Sequence, residues 1–336
     1  MTARRLAACT LLLCGCGSMS WMSDTRGPDS DQIATLAWVA SIGIALIVLT
    51  VWAILAYLIA RRTRGTLAEH MPHTTKTGMG WIYTWGLAIP GVLLLAALIA
   101  SISVMFSANE HSHMHSHEAA EITITGHQWW WEVRYNGKTP EDTFDTANEI
   151  HIPVGRPVMI ALRSADVIHS FWIPKLHGKV DLVPAGHNSI VLQADAPGRY
   201  EGQCSEFCGA EHALMRLVVV AEPEAQYEAW KFAQHKPSII PTREPEVHGL
   251  EVFEKRACGV CHTIRGTQSV GHVGPDLTHI GSRQMIGANS YPNDRAHLQA
   301  WITRPHSLKP QVLMPNLSQM TGEDINALAV YLRSLQ

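Results

Sequence analysis

The sequence predicts a multi-domain membrane protein: a pair of membrane-spanning helices, then a small β-sandwich, then an all-α domain. Three observations predict it. Two long runs, 33–60 and 81–108, contain no charged residue. From 121 to 221 the chain breaks into short β-branched or alternating runs separated by Pro, Gly and Asn, the pattern of a sandwich of roughly one hundred residues. Beyond 248 the apolar residues return at three-four spacing, as on amphipathic helices. Charged residues are 16% of the 336 and the mean hydropathy is +0.02, an average of a polar part and a strongly apolar one. A net charge of −3 gives no reason to expect nucleic acid.

The first residues, 1–15, carry Arg4 and Arg5, a short apolar run and then L-C-G-C, the layout of an export signal. Its end resembles a bacterial lipobox, with Leu13 and Gly15 before Cys16; the resemblance implies a lipoprotein whose mature chain starts at lipidated Cys16. A plain signal peptide or an uncleaved anchor is the competing reading. The uncharged runs each exceed the ~20 apolar residues that cross a bilayer, and neighbouring helices would satisfy the backbone group freed by Pro90. Arg61, Arg62, Arg64 and Lys76 between them predict a cytoplasmic loop and outward-facing flanks, in agreement with an export signal. His111, His113, His115 and His117 alternate in the next segment; extended, they would share a face, but such a tract commonly serves as a solvated tether.

Strands are predicted at 121–125, 130–135, 149–152, 157–162, 189–193 and 214–220. Into the last of these runs C-S-E-F-C-G-A-E-H-A-L-M, residues 204–215, with two thiols, an imidazole and a thioether in twelve residues. These soft ligands favour copper over harder divalent ions. A disulfide between Cys204 and Cys208, or a structural zinc, leaves the methionine unexplained. His169, in A-D-V-I-H-S-F-W, is the best candidate for a further ligand, since it lies in an apolar, strand-like run. After a short helix from about 222, three prolines between 237 and 245 suggest a semi-rigid spacer, closing a linker over 222–247.

The chain then carries A-C-G-V-C-H, the signature of covalent c-type haem attachment: Cys258 and Cys261 would form the thioethers and His262 would bind the iron. A methionine should complete the iron's coordination, raising the potential relative to two histidines. Helices are predicted at 249–256, 294–303 and 323–335, the last with Ile325, Leu328, Ala329, Leu332 and Leu335 on one face.

The copper loop and His169 together resemble subunit II of the haem-copper cytochrome c oxidases, and the whole chain resembles the caa3 type, which carries a fused cytochrome c domain. The resemblance implies a cupredoxin fold over 121–221 and a class I cytochrome c domain over 248–336. It implies a dinuclear copper A centre held by His169, Cys204, Cys208, His212, Met215 and the Glu206 carbonyl, with the Glu206 carboxylate on a magnesium ion shared with subunit I. The segment G-H-Q-W-W-W places the family's electron-input tryptophan at Trp129, at the surface beside the copper. Met314, in K-P-Q-V-L-M-P, resembles the distal haem ligand, ahead of Met320 and Met285, and G-P-D-L at Gly274 resembles the loop along the haem edge.

The function implied is respiratory: electrons from cytochrome c or a similar donor would pass through haem c and copper A to subunit I, in a membrane complex with subunit III. There dioxygen becomes water and protons are pumped. The location implied is a bacterial inner membrane, with the copper and haem domains outside. Three positions depart from the family pattern: Tyr83 where a glutamate near a proton route is usual, P-A-G-H with His187 in place of P-G-R, and Trp130 in place of a tyrosine. A quinol oxidase subunit lacks the copper ligands, and nitrous-oxide reductase needs a large propeller. A copper-delivery lipoprotein needs an open site, which a full ligand set joined to a haem domain argues against.

Overall fold

The structure is a computed structural model that describes residues 24–63, 79–114 and 119–336. The signal segment with Cys16, and Arg64, Lys76, His115 and His117, lie outside the described residues. The chain divides into two units, one with the long apolar helices and one with everything from 112 onward together with residues 26–30.

In the first unit, α1 runs Pro28–Thr63 and α2 runs Ile89–Met114. The 36 residues of α1 would measure about 54 Å at 1.5 Å per residue, more than the ~30 Å of hydrocarbon they need to cross. Leu46, Trp52 and Leu94 are 60%, 67% and 71% exposed, an apolar surface that calls for lipid or another protein chain. The winding of its own helix accommodates Pro90. A proline donates no hydrogen bond and its ring crowds the carbonyl four residues back. Residues Ile82–Ala88 are wound as a π-helix, and Ile89 N–H reaches Thr84 O, five residues back, so the crowded carbonyl is carried aside. Tyr83 lies on this segment. The backbone at His111 and His113 continues α2 rather than running extended.

The second unit contains ten strands of a two-sheet sandwich. One sheet has the order β3-β2-β1-β5-β8, from Phe144–Ala147, Trp130–Tyr135, Ile122–His127, Val158–Ser164 and Asn188–Leu192. The other has the order β4-β10-β9-β6-β7, from Glu149–Pro153, Arg216–Glu222, Gly198–Cys204, His169–Trp172 and Val180–Leu182. Four of these, β3, β6, β7 and β9, are beyond the six predicted. β9, G-R-Y-E-G-Q-C, is rich in residues that strands disfavour, yet it buries every second side chain down to Cys204. The core between the sheets is apolar, with Ile122, Ile124, Trp131, Val133, Phe171, Leu217 and Val219 essentially inaccessible.

Helix α3, Glu224–His235, belongs to the sandwich: Tyr227 is buried and Trp230 stacks on His151 at 3.9 Å and on the edge of Tyr135 at 5.2 Å. The proline-rich stretch after it is anchored at its start, whereas Ile239 and Ile240 beyond are 86% and 61% exposed. Ser238 N–H donates to Arg265 O at 2.8 Å, and His279 Nε2 lies 3.0 Å from Lys236 O.

The C-terminal domain is built from α4, Glu246–Lys255, α5, Arg295–Thr303, and α6, Gly322–Ser334. The boundaries follow from caps: Asp294 accepts from His297 N–H, and Thr321 accepts from Asp324 N–H. Leu298, Ile302, Leu328, Ala329, Leu332 and Leu335 face inward with Phe253 and Tyr331. Gly249 lets α4 and α6 approach, since a Cβ there would sit 2.3 Å from Ala327 O.

Candidate metal centre and haem cleft

The loop from Cys204 to Met215 joins β9 to β10, and the ladder between those strands closes its base. Cys204 N–H donates to Met215 O at 2.9 Å, one step beyond the Arg216–Gln203 pair. The two ends of the loop therefore move as one strand pair. Within it the predicted ligands converge. Cys204 Sγ lies 3.7 Å from Cys208 Sγ, 3.9 Å from His169 Nδ1 and 3.2 Å from Glu206 O. Cys208 Sγ lies 3.6 Å from His212 Nδ1 and 3.8 Å from Met215 Sδ. Both cysteines are free and buried. His169 and Met215 have no exposure, while His212 is half-buried beside Phe207, which is 77% exposed.

Five side chains and a carbonyl around two thiols are a soft donor set that fits a thiolate-bridged copper pair. The protons of the two thiols are coupled. The hydrogen bond from Cys208 holds the Cys204 thiol far below the usual range, and Cys208 is pushed up correspondingly. One thiolate is thus available before any metal arrives.

Asp166, which sequence reasoning overlooked, orients the site. Its carboxylate lies 2.7 Å from His169 Nε2 and accepts from Gln128 and Val167 N–H at 2.6 and 2.7 Å, which fixes Nδ1 toward Cys204. The available signal was D-V-I-H itself, a carboxylate three residues before the ligand. Glu206 turns its carboxylate outward, half-exposed and 4.0 Å from Lys179. His187 is exposed, and Ala185 in P-A-G-H holds a left-handed φ of 59°, a conformation better suited to glycine.

The three tryptophans separate by strand alternation. Trp131 enters the sandwich core, 6.0 Å from both His169 and Phe171, whereas Trp129 and Trp130 border a cleft in the C-terminal domain. Trp129 is not the surface indole expected from the sequence: it is 7% exposed, packed in the sandwich core while also bordering the cleft. Its indole N–H donates to Cys208 O at 3.0 Å, and Gln128 Nε2 donates to the same carbonyl at 2.8 Å. Gly209 makes room for both groups, with a φ of 117° and an ideal Cβ only 3.0 Å from each.

The cleft is lined by His262, Leu277, Ile280, Leu298, Ile302 and Leu332, among others. His262 Nδ1 bonds Pro275 O at 2.8 Å, and burial holds the ring below its ordinary pKa against that bond. A neutral ring with Nδ1–H engaged leaves the Nε2 lone pair for a metal. Gly274 presses against this imidazole, where a Cβ would lie 2.5 Å from Cε1. Arg283 lines the cleft at 9% exposure with its Nε unpartnered, a donor suited to a buried carboxylate of a porphyrin. The Cys258 and Cys261 thiols are free, on the short turn before His262. These features fit a covalently held haem. Met314 lines the cleft and so does Met285; Met320 instead belongs to the apolar core beside it.

Comparison with known proteins gives the same two-part division. Residues 138–222 match the family described as cytochrome c oxidase subunit II, periplasmic domain, and residues 247–336 match cytochrome c. A curated cytochrome c oxidase subunit 2 from Alkalihalophilus pseudofirmus is 34% identical over 335 residues, covering 98% of this chain and 96% of that one. One from Bacillus sp. PS3 is 30% identical over 74% of this chain and 72% of the other. Among solved structures, the periplasmic domain of subunit II of cytochrome oxidase from Bradyrhizobium japonicum shares 29% identity, with a TM-score of 0.31 over 34% of this chain and 91% of that one.

Proposed function

The chain belongs to the cytochrome c oxidase subunit II family, and from that premise we propose that it is the electron-input subunit of a caa3-type respiratory oxidase, taking electrons from an external cytochrome c or similar donor and delivering them to subunit I, where dioxygen is reduced to water and protons are pumped. A c-type haem and a thiolate-bridged copper pair would supply two successive one-electron carriers. The observation that carries the reading is the convergence of His169, Cys204, Glu206, Cys208, His212 and Met215 around two thiols 3.7 Å apart.

The chain's residues hold, orient and shield those carriers. Cys258 and Cys261 tether the porphyrin, His262 presents Nε2, and Met314 is the proposed opposing ligand. Asp166 keeps His169 aimed at Cys204, and the β9–β10 ladder keeps the loop from relaxing when the charge at its centre changes. Trp129 joins the two sites: its ring borders the cleft and its indole N–H holds the Cys208 carbonyl. Its proposed electron-input role is therefore internal, from the fused domain. The Glu206 carboxylate is proposed to reach a magnesium ion shared with subunit I. The two long apolar helices support a proposed location in a bacterial cell membrane, beside subunits I and III, with the copper and haem domains proposed to face outward.

Electron paramagnetic resonance with metal and haem analysis on the purified full-length chain tests the reading. A seven-line mixed-valence copper signal beside one low-spin c-type haem is the expected result. Labile copper without that signal would favour a copper-delivery protein instead, although four buried ligands argue for a permanent site.

A further inference from the structure

Lys309 is 1% exposed and is the one charged residue among the largest fully buried side chains. It belongs to the C-terminal domain, where its backbone is fixed: Lys309 N–H donates to Pro305 O at 2.8 Å, and Leu308 O accepts from the Tyr291 hydroxyl at 2.7 Å. Its side chain leaves that domain. Nζ donates to Trp129 O at 2.8 Å and to Leu214 O at 3.1 Å, both in the sandwich. Those carbonyls flank the copper loop from two sides. Trp129 is the residue whose indole holds Cys208 O, and Leu214 precedes the ligand Met215. Two further hydrogen bonds cross at the same place, from Ser290 Oγ to Leu214 O at 3.1 Å and from Arg216 N–H to Ala288 O at 3.2 Å.

Stability does not explain a buried ammonium here. Taking it out of water is costly, and no carboxylate lies within ion-pair distance of it among the described salt bridges. An apolar side chain of similar length would spare that cost, at the expense of a donor to two carbonyls. What the ammonium does provide is registration and charge. Carbonyl dipoles from two separate segments can be satisfied together only when the cleft, five residues before Met314, sits in one position over the loop.

We propose that Lys309 is a positioning residue for internal electron transfer, locking the haem-bearing domain in one register on the copper loop and placing a fixed positive charge behind it. The proposal rests on the cofactor assignments above and goes beyond them. A positive charge beside bridging thiolates stabilises the reduced centre, so the copper potential is set partly by a residue of the other domain.

The test uses the full-length chain in its oxidase, wild type and with Lys309→Met, Lys309→Gln or Lys309→Arg. Haem-to-copper transfer is followed in single-turnover flash experiments, and the two midpoint potentials are titrated separately. For Lys309→Met, internal transfer slows about tenfold or more and the copper potential falls, while the haem potential and the thermal unfolding midpoint do not. Lys309→Gln, which keeps N–H donors without the charge, recovers the rate more than the potential; Lys309→Arg recovers both in part. Wild-type rate and copper potential in Lys309→Met overturn the proposal. If that variant does not assemble, wild-type rate and potential in Lys309→Gln overturn it equally. Wild-type protein lacking the seven-line signal removes the cofactor reading itself, and the proposal with it.

Discussion

Replacing Gly209 by alanine should loosen the copper loop through the two groups that hold its central carbonyl. A φ of 117° lies where essentially only glycine is comfortable, which costs about 2 kcal/mol for any other residue. The added Cβ would stand 3.0 Å from the Trp129 ring and 3.0 Å from Gln128 Nε2. The ring is buried and cannot retreat. Both groups donate to Cys208 O, so relieving the contacts sacrifices hydrogen bonds worth about 1 kcal/mol each, for a total of about 4 kcal/mol. Gly155 supplies the control: its φ is 74°, but no atom lies within 4 Å of its Cβ, so alanine there should cost only the backbone part, about 1 kcal/mol. The assay is thermal loss of the copper signal in the full-length chain, with electron paramagnetic resonance at low temperature. Gly209→Ala should lose copper at a clearly lower temperature than Gly155→Ala and show an altered hyperfine pattern. Equal losses in the two variants would falsify the contact argument.

Three further outcomes are expected. Gly274→Ala drives a methyl group into the His262 ring, 2.5 Å from Cε1 at the ideal position, and should convert part of the haem to a high-spin form visible in its absorption spectrum. Met314→Ala should lower the haem potential and open the iron to added imidazole, whereas Met285→Ala, on the same cleft, should leave both unchanged; the reverse pattern would reassign the ligand. Burial works against a charged His151, but its hydrogen bonds to Glu149 and Glu222, both 3.0 Å, raise its pKa. A raised pKa contributes stability that is complete below the unfolded value of about 6.5 and is lost as pH rises through the folded one. Against wild type, the penalty of His151→Gln in thermal unfolding should therefore shrink with rising pH across that window; a penalty independent of pH would exclude the charged pairing.

The fold class was legible because its signals are local: charge-free runs for the helices, alternation for the sandwich, three-four spacing for the last domain. The candidate copper ligands were legible as a group because four of them share twelve residues and the fifth sits in an apolar run. What was not legible depends on contacts between distant segments. β9 reads as polar because glycine and charged residues fill its exposed positions, and only the burial of Tyr200, Gly202 and Cys204 makes it a strand. Trp129 reads as a surface aromatic, since nothing local shows that it packs into the sandwich core beside Cys208. Lys309 reads as an ordinary surface lysine, since nothing in K-P-Q-V-L-M indicates that its side chain ends 180 positions away in sequence, at Trp129. The anchoring of the proline-rich stretch at Ser238 was not legible, because composition reports stiffness but not what a segment bonds to.

The burial of Trp129 has a kinetic consequence. An indole at 7% exposure is a poor contact point for the external donor of the proposed function, which would then meet the C-terminal domain instead. Val260, Val270 and Leu313, which are 71%, 69% and 79% exposed, lie on or beside the haem-attachment turn and the Met314 loop. Residues 257–275 and 305–322 contain no acidic side chain. A contact there would rely little on charge, and its rate should depend only weakly on ionic strength. The second step then needs no collision, because the fold already holds the cleft and the loop against each other through Lys309, Ser290 and Ala288. Its rate should depend on the register of that contact, and hence on interdomain hydrogen bonds, while the first depends on donor concentration. Substitutions at Lys309 and at Leu313 should therefore act on different kinetic phases: the concentration-independent one for Lys309, and the concentration-dependent one for Leu313→Asp in stopped-flow reduction. Movement of both phases together by either substitution would show that the domain is not fixed in place during turnover.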